Sequence, residues 1–108
     1  MENFGLNTLT GIKDIIDPLK SFDYSLYQNY PNPFNSATTI KYNLRKPAKV
    51  ILKIYNLSGQ EIETLINEFQ TTGDHEIIWQ PQGLPSGIYL YKLQAGTFSA
   101  KNKLILQK

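Results

Sequence analysis

The sequence predicts an all-β protein, an antiparallel immunoglobulin-like β-sandwich of about seven strands. Three observations carry that expectation. From Thr38 onward, apolar and polar residues alternate over strand-length runs, as in Ile40, Tyr42 and Leu44 against Lys41, Asn43 and Arg45. Clusters of Gly, Pro and Asn punctuate these runs at short spacing, which marks turns. The composition agrees. Of 108 residues, 41% are hydrophobic and 12% aromatic, but only 19% are charged. A chain of this length and apolar content supports one domain with a modest core.

Taken in order, residues 1–21 are expected to be a linker from an upstream domain not present here. Ile12, Ile15, Ile16 and Leu19 match a helical stripe, but Pro18 falls inside it and limits any helix to a short turn. The sandwich is expected over residues 22–108. Phe22, Tyr24 and Leu26 alternate as a first strand. It runs into the stretch Gln28-Asn29-Tyr30-Pro31-Asn32-Pro33-Phe34. Two prolines fix φ there and rule out a regular helix or a central strand. This rigid segment is expected to close one end of the sandwich, with Tyr30 and Phe34 packing.

After the Thr38–Leu44 run, Lys46-Pro47 turns the chain. Val50, Leu52 and Ile54 then alternate, with Ile51 and Tyr55 on the opposite face, which reads as a central strand. Asn56-Leu57-Ser58-Gly59 is a hairpin turn with Gly59 at positive φ. Residues 60–70 fit a helix template through Ile62, Leu65, Ile66 and Phe69 and a strand template through Ile62, Thr64 and Ile66. Their place between turns in an otherwise β chain favours a strand. Thr71-Thr72-Gly73-Asp74 is a turn. His75, Ile77 and Trp79 then share a parity, and the single tryptophan is expected to anchor the core. The rigid loop Gln82-Gly83-Leu84-Pro85-Ser86-Gly87 leads to a strand with Tyr89, Tyr91 and Leu93 on one face. Ala95-Gly96 turns into a last strand, where Phe98, Ala100, Leu104 and Leu106 share one parity and Lys101 and Lys103 take the other.

The residues offer little for catalysis. His75 is the only histidine, and no nucleophile pattern accompanies it. Glu61 and Glu63, two apart on one strand face, read as solvated carboxylates rather than a glycosidase pair. Gly83 and Gly87 lack the Lys-Ser/Thr and helix of a phosphate loop. Asp74 and Glu76 lack calcium-loop spacing. There are no cysteines, so thiolate metal sites and disulfides are excluded. No metal or cofactor is expected, and the protein is expected not to be an enzyme. A net charge of +2 does not argue for nucleic acid, and the basic residues do not interleave with aromatics as a stacking groove requires. No window approaches the roughly 20 apolar residues of a membrane span, so direct insertion is not expected. Residues 97–108 do carry Lys101, Lys103 and Lys108 with no acid. Lysines of this kind keep an exposed edge strand soluble.

Leu26 through Asn35, with its Tyr-Pro-Asn-Pro-Phe core, resembles the opening of the C-terminal sorting domains of type IX secretion, type A, of the Bacteroidetes and related bacteria. Thr39-Ile40-Lys41-Tyr42-Asn43-Leu44 resembles the family's next strand, and Val50 through Gly59 its following hairpin. Gly73, His75-Glu76-Ile77 and Trp79 resemble its glycine-to-tryptophan strand. Pro85 through Leu93 is similar to its late motif, which includes Gly87 and Tyr89. Lys101 to Lys108 is similar to its basic–apolar terminal strand. Gln80-Pro81-Gln82-Gly83 departs from the Asp or Asn and Gly common at that place. Residues 24–108 are covered.

The resemblance implies a non-catalytic sorting signal at the end of a larger cargo. It implies an export signal upstream of this chain, a periplasmic stage, and passage through an outer-membrane translocon to the cell surface or medium. Its implied partners are that translocon, a surface sortase and the attached cargo. The same sandwich is similar to the immunoglobulin-like domain of flagellar hook-capping proteins. The candidate recognition residues are Lys101, Lys103, Leu104, Ile105, Leu106 and Lys108, which could pair by edge addition. Pro31, Asn32 and Pro33 form a second candidate at the other end. A monomer is expected, with edge-strand dimers left open. The alternative is an accessory carbohydrate-binding or spacer module of a surface enzyme, with Tyr27, Tyr30, Tyr42, Tyr55, Tyr89 and Tyr91 as a stacking platform.

Overall fold

The computed structural model describes residues 24–108. The expected linker, its helical turn and Phe22 lie outside the described residues. Seven strands form: β1 Tyr24–Leu26, β2 Thr38–Leu44, β3 Ala48–Asn56, β4 Glu61–Gln70, β5 Gly73–Trp79, β6 Gly87–Ala95 and β7 Phe98–Leu106. They make two antiparallel sheets, one of order β1-β2-β5 and one of order β4-β3-β6-β7. The all-β immunoglobulin-like sandwich is thus present. The ambiguous residues 60–70 are strand, and β3 is central in its sheet.

Alternation sets which side chains are buried. Ile40, Tyr42 and Leu44 of β2 meet Val50, Leu52 and Ile54 of β3, Tyr91 and Leu93 of β6, and Leu104 and Leu106 of β7 in one core cluster. Trp79 anchors one end of it. Its ring lies 5.9 Å from Phe34 and 6.3 Å from Tyr89, and its Nε1 donates to Glu63 Oε1 at 3.0 Å. The half-buried His75 stacks on Tyr42, and its Nε2 lies 2.7 Å from Thr71 O.

The two tight hairpins stay within a sheet. The β3–β4 turn places Gly59 at φ 89, and the β6–β7 turn places Gly96 at φ 62. The turn expected at Thr71–Asp74 is instead a crossing between sheets. Gly73 is already the first residue of β5, opposite Leu44.

A second correction concerns Glu61 and Glu63. Two register shifts in the β3–β4 ladder move residues between faces. Glu61 pairs with Tyr55 on the outer face, whereas Glu63 pairs with the inward Ile54 and reaches Trp79. The carboxylates therefore face opposite ways. Glu61 is held by Lys53 Nζ at 3.0 Å and by Thr64 Oγ1. The lysine ammonium keeps the Glu61 carboxyl below the usual range, and Glu61 in turn raises the lysine.

Candidate recognition surface

The proline segment and the last strand, expected at opposite ends, lie against one another. Phe34 forms a parallel bridge with Leu106. Its N–H donates to Ile105 O at 2.9 Å, and Gln107 N–H donates to Phe34 O at 2.8 Å. Ile105 N–H donates to Asn32 Oδ1 at 2.9 Å, and Gln28 Nε2 donates to Lys103 O at 2.8 Å. The segment thus seals the C-terminal half of the outer edge of β7. The last strand was expected to offer an exposed edge. It is open only nearer the β6–β7 hairpin.

A buried polar knot fixes this arrangement. Tyr91, in the middle of β6, places its hydroxyl under the segment. That oxygen accepts from Asn29 N–H at 2.9 Å and from Asn102 Nδ2 at 3.2 Å, and it donates to Tyr27 O at 2.7 Å. Burial pushes the Tyr91 phenol up, and the bonds from Asn102 and the Asn29 amide work against that rise. Asn29, only 2% exposed, donates from Nδ2 to Thr38 Oγ1, and Thr38 Oγ1 donates to Pro31 O at 2.8 Å. The buried donors of Asn29, Thr38 and Tyr91 each have an acceptor, so the segment is held without an unsatisfied donor among them. Both X–Pro bonds, Tyr30–Pro31 and Asn32–Pro33, are cis. Pro31, Asn32 and Pro33 are exposed beside Ile105.

Several expected side-chain roles change. Tyr30 does not pack; it is 80% exposed, and only its backbone is engaged, with Thr39. Phe34 packs as expected, 2% exposed. Leu104 and Leu106 cannot be contacted by a partner, because both are core. Lys101 and Lys103 are exposed, Ile105 is half-buried on the same outer face, and Lys108 N–H donates to Ser86 Oγ. The tyrosines do not form a platform. Tyr42, Tyr89 and Tyr91 are buried, and Tyr89 donates to Pro85 O at 2.7 Å. Thr38 and Asn102 were not singled out by the sequence, and Gln28 and Asn29 entered only as part of the proline stretch, with no role of their own. Their role depends on strands far apart in sequence, and no periodicity signals it. Among the described residues, no group of His, Asp and Glu is placed to hold a metal ion.

The family model described as a secretion system C-terminal sorting domain matches residues 28–107. The chain belongs to this family, whose domains are the C-terminal sorting signals of type IX secretion. Such a domain marks its bearer as a secreted protein. Two solved structures from Porphyromonas gingivalis share the fold. Dimeric latent PorU is 17% identical with a TM-score of 0.62; the match covers 77% of this chain and 9% of that one. PorZ, an essential bacterial surface component of the type-IX secretion system, is 22% identical with a TM-score of 0.58, covering 77% and 11% respectively. The chain thus corresponds to a small part of either protein. No curated protein matches it.

Proposed function

We propose that this domain is the non-catalytic address of a larger cargo, read in the periplasm and directing passage through the outer-membrane translocon to the cell surface or medium. Residues 1–21 then serve as the linker to that cargo. The observation that carries the reading is the joined surface of Pro31–Pro33 and the β7 edge. A rigid segment is locked onto the terminal strand by backbone bonds and a buried knot. A partner meeting it has little chain to order, which favours recognition of a folded label. The recognition residues are Pro31, Asn32, Pro33, Lys101, Lys103, Ile105 and Lys108. The translocon and surface sortase are the partners. The carbohydrate-module alternative loses its support with the burial of Tyr42, Tyr89 and Tyr91.

The test is to fuse the whole chain behind a periplasmic reporter in a host with type IX secretion. Truncating the last strand is unsuitable, since it removes Leu104 and Leu106 from the core. The combined substitution Lys101→Ala, Lys103→Ala and Lys108→Ala touches exposed side chains instead. The wild-type fusion should reach the surface or medium, and the triple variant should accumulate in the periplasm with an unchanged melting temperature. A wild-type fusion that stays periplasmic refutes the reading.

A further inference from the structure

The outer face of the four-stranded sheet carries an arrangement that folding alone does not favour. Lys53 of β3 pairs with Lys92 of β6, and Lys92 pairs with Lys101 of β7, so three lysines stand side by side in one row. Lys103 stands in the next row, opposite Leu90, which in turn pairs with Tyr55. Like charges directly opposite on neighbouring strands are destabilising. Glu61 offsets Lys53 through a 3.0 Å ion pair. Among the described residues, Lys92, Lys101 and Lys103 make no ion pair. β6 and β7 contain no acidic residue. Beside the row, Tyr55, Gly59, Leu90, Lys92 and Lys101 line an open depression.

The same residues border the unsealed part of the β7 edge. Ile105 turns both its N–H and its C=O outward, to Asn32 and Phe34, and Lys103 turns its C=O outward to Gln28. In an antiparallel ladder this orientation alternates. Ser99 and Lys101 therefore also present N–H and C=O outward, and Lys103 its N–H. Among the described residues, nothing pairs with these groups. A strand added here would place the side chain facing Lys101 on the outer face, at the end of the lysine row.

We infer that the open Ser99–Lys103 edge binds an extended, acidic polypeptide segment, whose carboxylates face Lys101, at the end of the Lys53–Lys92–Lys101 row, and its neighbour Lys103. This rests on the sorting reading and names the chemistry of the partner at that surface. Two features select a polypeptide over an anionic lipid or glycan. The free backbone donors and acceptors call for another backbone, and Lys101 and Lys103 stand two residues apart on the outer face of β7, a spacing that carboxylates at every second residue of a neighbouring strand match. The sealed half of the edge sets the length: the added strand ends where Gln28 and Asn32 begin.

The test uses the full, isotope-labelled chain and an acetylated, amidated hexapeptide of alternating valine and glutamate. Titration at low salt should shift the Ser99 and Lys101 amides and slow their hydrogen exchange several-fold. Lys101→Glu should weaken binding roughly tenfold. A peptide N-methylated at every second residue, on the edge-facing amides, should not bind. The inference is overturned if a lysine-for-glutamate peptide binds equally well. It is equally overturned if no amide responds at millimolar peptide, or if vesicles of anionic phospholipid shift the lysine side chains while the peptide does not. The export assay separates the two readings. A wild-type fusion that is exported, together with a peptide that does not bind and a Lys101→Glu fusion exported normally, removes the acidic-strand inference and leaves the sorting function standing.

Discussion

Replacing Tyr91 with Phe removes one oxygen and keeps the ring that fills the core. The hydroxyl makes three hydrogen bonds, to the Asn29 N–H, Asn102 Nδ2 and Tyr27 O. Their losses are unequal. Tyr27 is 49% exposed and its carbonyl can turn to water, and the half-buried Asn102 amide can do the same. The Asn29 N–H belongs to a residue 2% exposed and has no such recourse. A buried donor left without an acceptor costs about 1–3 kcal/mol. The expected loss is therefore about 2 kcal/mol, which lowers the melting temperature of a domain of this size by roughly 8–16 °C. Calorimetry on the wild type and the variant measures it. Tyr89→Phe is the comparison, since that hydroxyl makes a single bond, to Pro85 O; it should cost about 1 kcal/mol. Because Asn29 anchors the proline segment, hydrogen exchange at Phe34 and Ile105 should quicken in the Tyr91 variant and not in the Tyr89 variant. A Tyr91→Phe melting point within about 3 °C of wild type would refute the claim that this hydroxyl holds the segment on β7.

Trp79→Ala should cost about 3–5 kcal/mol, because it opens a cavity beside Phe34 and Tyr89 and removes the Nε1–Glu63 hydrogen bond. Urea denaturation followed by far-ultraviolet circular dichroism reads this, and a loss below about 1 kcal/mol would count against Trp79 as the anchor. Stability should also fall in alkali. Burial pushes the Tyr42 phenol up from 10.0 to about 12, and Tyr91 moves the same way. A folded value above the unfolded one means the native state keeps its proton longer. The contribution is therefore complete below pH 10.0 and is lost as pH rises through about 12. Denaturation midpoints measured across that window should decline, with a shallower slope in Tyr42→Phe; an unchanged slope would contradict it.

Much of the fold was legible because a strand writes its buried face into every second residue. Ile40, Tyr42 and Leu44, or Tyr89, Tyr91 and Leu93, can be read as inward without knowing their partners, and all six are buried. Residues 60–70 were harder for the same reason. Two bulges break the period of two in β4, so Leu65 and Ile62 fall out of step and mimic a helical stripe. The bulge that obscured the strand also put Glu63, still exposed, on the face of Ile54 and within reach of Trp79, which spacing alone could not show.

The surface was less legible. The basic character of the last strand and the stiffness of Tyr30-Pro31-Asn32-Pro33-Phe34 follow from residue identity, and the order of motifs carries the family. Only the tertiary structure decided that these two features are one surface, since Phe34 meets Leu106 across the length of the domain sequence. It also decided that Phe34 rather than Tyr30 packs, that Leu104 and Leu106 are core, and that Lys53, Lys92 and Lys101 stand in one row. The physical reason is common to all of these. Alternation along a strand is local and leaves a mark in the chain, whereas register between strands is set by turns, bulges and the packing of distant segments.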